Sequence, residues 1–173
     1  MSRIEEGEAD DNASFLRSCA FMGNAKRAVK GKKGQAVLKE LEAALLAMPE
    51  KRLISGAFAD IQVAPKGDGK SLYERIGGEV CTMGCLLVHR KMTKQFRGRG
   101  QALLEAVNEV TCDPDDGGSE QIQQAATALD LVYPLAYELA HQNDESGDRG
   151  ETPEQRYERI LKWVRSQIAP QQS

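Results

Sequence analysis

Cys81, Cys85 and His89 are spaced by four, and this is the nearest the chain comes to a metal-binding pattern. On a helix the three would share one face and could reach one ion. On paired strands they would stand too far apart. A structural zinc site generally takes four ligands and a closer pair such as C-x2-C, and Cys112 could complete the set only if the fold carried it there. Small buried thiols are the simpler expectation, so no metal is assigned. A Cys–His nucleophile pair would have to use His89 or His141, the two histidines of the chain, and neither sits in a local signature for one. His141 falls at the end of an expected helix, where a cation suits the dipole. Carboxylates are abundant, but in loops that rarely supply the desolvation a catalytic group needs. The sequence contains no G-x-S-x-G, H-E-x-x-H or G-x-G-x-x-G motif. A non-enzymatic protein without a cofactor is expected.

Charge carries more information than these side chains. The net charge of −3 is a cancellation. Residues 24–100 hold 16 Lys and Arg against 7 Asp and Glu, a balance of +9, while the rest hold 7 against 19, a balance of −12. Two clusters concentrate the excess: Lys26, Arg27, Lys30, Lys32 and Lys33, then Arg90, Lys91, Lys94, Arg97 and Arg99. Neither contains an acidic residue, so each repels itself unless something negative lies opposite. That counterpart could be solvent, an acidic part of the same chain, or a twin subunit in a homo-oligomer. It could also be a phosphate-bearing ligand or an acidic partner. The candidate binding residues are Lys26, Arg27, Lys30, Lys32 and Lys33, with Arg97 and Arg99 in support. VKGKKGQA places glycines beside the lysines and opens a helix, whose N-terminus favours an anion, but it lacks the spacing of a nucleotide P-loop. Duplex binding fits less well, given the negative total and the sparse aromatics. The acidic flanks raise the opposite role, in which a negative surface meets a basic partner.

The elements that must position these residues read as helices. Asn12 caps an expected helix carrying Phe15, Leu16, Cys19, Met22 and Val29, weakened by Gly23. Gly31 and Gly34 break the chain after it. From Gln35 to Met48, Val37, Leu38, Leu41, Leu45 and Met48 share one helical face, and Pro49 ends it. Leu53 to Val63 shows no helical stripe. With Glu79 to Val88 it is expected to form a small antiparallel β element near residues 53–63 and 79–88, joined through Pro65, Gly67, Asp68 and Gly69. The other arrangement is a helix from Glu79 to His89. QALLEAVNEV reads as a short helix, and Asp113 to Gly118 as a loop. Ser119 opens a helix with Ile122, Ala125, Ala126 and Leu129. Pro134 starts another with Leu135, Ala136, Leu139 and Ala140, followed by the polar loop QNDESGDRGE. Thr152, Pro153, Glu154 and Gln155 give the strongest helix start of the chain. Tyr157, Ile160, Leu161, Val164 and Ile168 form its core face, with Trp163 as a flank covering that core.

The expected whole is a mainly α (α+β) protein: an acidic flexible tail over residues 1–11, then one mainly helical domain over 12–173. Its 173 residues suffice for one core. Aromatics make up only 5%, so aliphatic side chains must build that core. No apolar run reaches the length of a membrane span, and the acidic start lacks the basic and apolar parts of a signal peptide. A cytoplasmic setting is expected, with Cys19, Cys81, Cys85 and Cys112 as thiols.

The segments GNAKRAVKGKKGQAVLKELEAALLAMPEKRLISG, GEVCTMG, AYELAHQNDESG and ETPEQRYERILKWVRSQI occur in this order between residues 23 and 168. They resemble a group of small proteins encoded by bacteriophages and prophages, generally without an assigned activity. The stretch between Asp60 and Gly78 is longer than in that group, and LLVHRKMTKQFRGRG is unlike it. The resemblance supplies no catalytic residues. It implies a protein that binds something in the host cytoplasm, such as a component of a defence system. That could happen by docking on a host protein or by sequestering a nucleotide signal.

Overall fold

Thr152 does what its sequence context announces. In the computed structural model, which describes residues 22–55, 80–93, 119–144 and 150–170, its Oγ1 accepts from the Gln155 amide at 3.3 Å. Gln155 Oε1 in turn accepts from the Thr152 amide at 2.8 Å. This reciprocal box, with Pro153 in the first turn, launches the last of six helices among the described residues. In chain order they are α1 (22–30), α2 (Lys32–Ala47), α3 (Thr82–Met92), α4 (Ser119–Ala128), α5 (Tyr133–Asp144) and α6 (Pro153–Gln167). The acidic start, the first half of the helix led by Asn12, most of the 53–63 stretch, QALLEAVNEV and the Asp113–Gly118 loop lie outside the described residues.

The small β element is not found: no strand occurs among the described residues, and the 79–88 stretch is helical from Thr82 onward. The reason is burial on every side. Residues 80–88 are all buried, because α3 packs against α2 and also against α5. A helix surrounded by core has no polar face, so it shows no amphipathic stripe and resembles a short apolar strand. One backbone bond remains of the expected pairing, from the Ile54 amide to the Val80 carbonyl at 3.0 Å.

α2 and α6 follow their periodicity. Leu38, Leu41, Ala44 and Leu45 from α2 meet the same core as Tyr157, Ile160 and Val164 from α6, and each fully buried leucine contributes roughly 1.5–3 kcal/mol. Leu161, Trp163 and Ile168 cover the flank. Beyond α2, the Lys51 ammonium donates to the carbonyls of Leu46 at 2.7 Å and Met48 at 2.8 Å, closing the helix end where Pro49 prevents continuation. α4 and α5 add Ala125, Ala126, Leu129, Leu135, Ala136 and Leu139.

Asn143 of α5 ties the elements together. Its Oδ1 accepts from the Thr82 amide (3.0 Å) and hydroxyl (2.7 Å), capping the start of α3. Its Nδ2 donates to the Ile54 carbonyl at 2.9 Å. A buried amide with these bonds made fixes α3, α5 and the 50–55 segment in one register.

Candidate functional site

Gly31 separates α1 from α2 and creates the corner that carries the first basic cluster. Its amide closes α1 by donating to Arg27 O, and its own carbonyl accepts from Gln35, both at 2.9 Å. At φ −69° and ψ 159° it is the extended N-cap residue of α2, and no side chain caps that end. Lys26, Arg27 and Lys30 lie on α1, Lys32 and Lys33 in the first turn of α2, and all five are exposed. None of the five makes an ion pair among the described residues. Arg27 spends one nitrogen on Asn24 Oδ1 at 2.6 Å.

The two helix ends treat these cations differently. Arg27 and Lys30 occupy the last turn of α1, where the dipole favours positive charge. Lys32 and Lys33 occupy the first turn of α2, where it opposes positive charge, and that turn holds no acidic residue. The cluster is therefore held together against its own electrostatics. Chemically it offers four lysine side chains and one guanidinium to a negative surface.

Gly34 and Gln35 hold the corner closed. Gly34 is buried, and a Cβ placed there would stand 2.0 Å from Ala28 O and 2.7 Å from Val29 O. The end of α1 thus rests directly on the first turn of α2, an approach only glycine allows. Gln35 Nε2 donates to Val29 O at 3.0 Å and to Gln167 O at 2.9 Å, while its Oε1 accepts from the Ala169 amide at 2.7 Å. Sequence reasoning took Gly34 as a second chain break and Gln35 as a helix start. Both lie inside α2; Gly34 depends on α1, and Gln35 on α1 and the end of α6, which spacing along α2 does not reveal.

The second cluster divides. Arg90 leaves the candidate surface, because its Nε and Nη2 form a two-pronged pair with Glu40 of α2, both at 2.7 Å, and its Nη1 reaches the Leu129 carbonyl. Its charge is neutralised within the chain, by a residue fifty positions away in sequence. Lys91 belongs to α3. Lys94, Arg97 and Arg99 lie outside the described residues.

Cys81 and Cys85 are buried. Cys81 stands just ahead of α3, where its Sγ accepts from the Gly84 amide at 3.4 Å. No group of three His, Cys, Asp or Glu side chains among the described residues is placed to hold a metal. His141 stacks on Tyr137, with ring centroids 6.2 Å apart and planes 7° apart, and Tyr137 follows Tyr133 at 6.4 Å. Burial raises the Tyr133 and Tyr157 phenols above their ordinary range. The Tyr157 hydroxyl donates to Leu45 O at 3.1 Å.

Comparisons of the chain with protein-family models, with curated proteins and with solved structures gave no match. No helix among the described residues is long and apolar enough to cross a membrane.

Proposed function

We propose that this is a non-enzymatic, phage-type binding protein that modulates a host process, such as a defence system, by docking its Lys26–Lys33 corner on an acidic face of a host protein. The observation that carries the reading is the corner itself. Five exposed cations without an ion pair among the described residues fall within eight positions around the α1–α2 corner, two of them at a helix end that disfavours positive charge. Such a surface speeds encounter with a negative partner and selects against positive ones. Four of the five are lysines, strongly hydrated point charges suited to a broad negative surface more than to one planar group. The resemblance to small phage-encoded proteins supplies the host context, and the host cytoplasm is where the partner would be met.

A pull-down from host lysate tests this. The native chain should retain a partner, and reversal of Lys30, Lys32 and Lys33 to Glu should weaken that binding by about tenfold or more, since like-charge contacts cost several kcal/mol. Retention of the same partner at full strength by the reversed chain overturns the reading, as does turnover of a substrate.

One feature favours a second reading, in which the corner sequesters a nucleotide or another phosphate-bearing ligand. The first turn of α2 has neither a side-chain cap nor an acidic residue, and helix starts bind phosphate. It ranks second because small-ligand sites enclose most of their ligand, whereas all five basic side chains are exposed. A ligand-dependent rise in melting temperature with nucleotides or polyphosphate, abolished by the same reversal, would put it first.

A further inference from the structure

Resting on the docking reading, we infer that Gln35, seated by Gly34, is the positioning residue of the basic corner: it sets where Lys30 stands relative to Lys32 and Lys33, without carrying charge or meeting the partner. The hydrogen bonds carry this. Both Nε2 hydrogens and the Oε1 acceptor of Gln35 are used, on Val29 O, Gln167 O and the Ala169 amide. One neutral, half-buried side chain thereby joins the end of α1, the start of α2 and the end of α6. Val29 immediately precedes Lys30, and Lys33 stands two residues before Gln35. Gly34 lets the end of α1 come this close, since a Cβ there would stand 2.0 Å from Ala28 O and 2.7 Å from Val29 O.

Lysine stems are flexible, so the backbone is the part of this surface that can be set in advance. Fixing it before encounter lowers the ordering cost of binding. Gln35 then affects affinity only through the lysines, and a double-mutant cycle can read that dependence.

The probe is poly-L-glutamate, a carboxylate surface without phosphate, binding to the full chain at low salt. Gln35→Met keeps the length of the side chain and removes its hydrogen bonds. It should weaken binding about fivefold in the native background and change it by less than about twofold where Lys30, Lys32 and Lys33 are all Gln, the non-additivity expected of coupled residues. Gln35→Asn, too short to span the same three partners, should behave alike and serves if Gln35→Met unfolds. Equal losses in the two backgrounds, or no loss in the native one, overturn the positioning role alone, provided that the lysine substitutions themselves weaken binding. If the triple Lys→Gln chain binds as tightly as the native one, the docking reading falls and this inference falls with it.

Discussion

Positive charge is used in two opposite ways in this molecule, at the Glu151 cluster and at the Lys26–Lys33 corner. Around Glu151, whose side chain is only 8% exposed, Arg159 forms a two-pronged pair at 2.7 and 2.9 Å. Arg159 also donates to the carbonyls of Gln142 and Asn143, and Arg156 to those of Asn143 and Leu53, the latter two bonds both at 3.1 Å. These two arginines close the end of α5 and fasten it to α6 and to the 50–55 segment. At the corner the cations are mostly lysines, exposed, and without a carboxylate among the described residues. The difference follows from side-chain chemistry. A guanidinium fork can satisfy a carboxylate and backbone carbonyls together, while an ammonium on a long stem keeps its water. Arg90 obeys the same division: it joins α2, α3 and the end of α4 and serves the core. Arg90, Arg156 and Arg159 are structural clamps and the four corner lysines are surface charges, while Lys51 at the end of α2 and Arg27 at the corner cross that division.

The largest effect should come from breaking the arginine side. Arg159→Met leaves the Glu151 carboxylate nearly buried, with Arg156 at 3.5 Å as its one remaining ion pair among the described residues. Unpairing a buried ion costs 3–5 kcal/mol, and the partial exposure of Arg159 reduces this to about 2–3 kcal/mol. Urea unfolding of the variant checks it, and a loss below about 0.5 kcal/mol, the range of ordinary surface changes, would erase the contrast between the two regions. Gly34→Ala ranks next. Its methyl group meets backbone, which cannot turn aside as a side chain would, so about 1–3 kcal/mol of overpacking is expected in the same assay. An unchanged midpoint would mean that α1 does not rest on α2 as described.

Neither Arg159 nor Gly34 shows its role in local spacing. The Thr152 start, the α2 and α6 faces and the α4–α5 pair depend on local spacing, and local spacing is what a sequence displays. α3 was misread because burial on all sides removes periodicity from residues 80–88. Gly34 was read as a break because glycine signals chain flexibility and close contact with the same letter. The five corner residues are candidates because their charges cluster along the sequence, and all five are exposed. The loss of Arg90 to Glu40 could not be seen, since the carboxylate comes from another helix. Arg97 and Arg99 fall outside the described residues.

Acid separates the two regions further. The Glu151 carboxyl is held below its ordinary range, chiefly by the hydrogen bond from Arg159 and then by the charges of Arg159 and Arg156, against an opposing push from burial. A carboxyl with a lowered folded-state pKa stabilises the fold fully above its unfolded value, about 4.3 for Glu, and loses that contribution as pH falls through the folded value. Glu151→Gln should therefore melt below the native chain at pH 6–7, a window about two units or more above that value, with the gap shrinking as pH drops beneath it. A gap independent of pH would mean that Glu151 acts by shape alone.

The smallest effect on stability, and the one that most sharpens the comparison, belongs to the lysines. Replacing Lys30, Lys32 and Lys33 with Gln removes no ion pair among the described residues, and all three side chains are exposed. It also relieves repulsion among neighbours and takes two cations away from the start of α2, where the dipole opposes them. Thermal melting should be unchanged or shifted upward by about 1–2 °C, while binding to an acidic surface falls. A residue kept for the fold should not improve the fold when it is lost. A clear fall in melting temperature would show that the lysines are held by a negative counterpart within this chain or in a second copy, and the corner would then be structural after all.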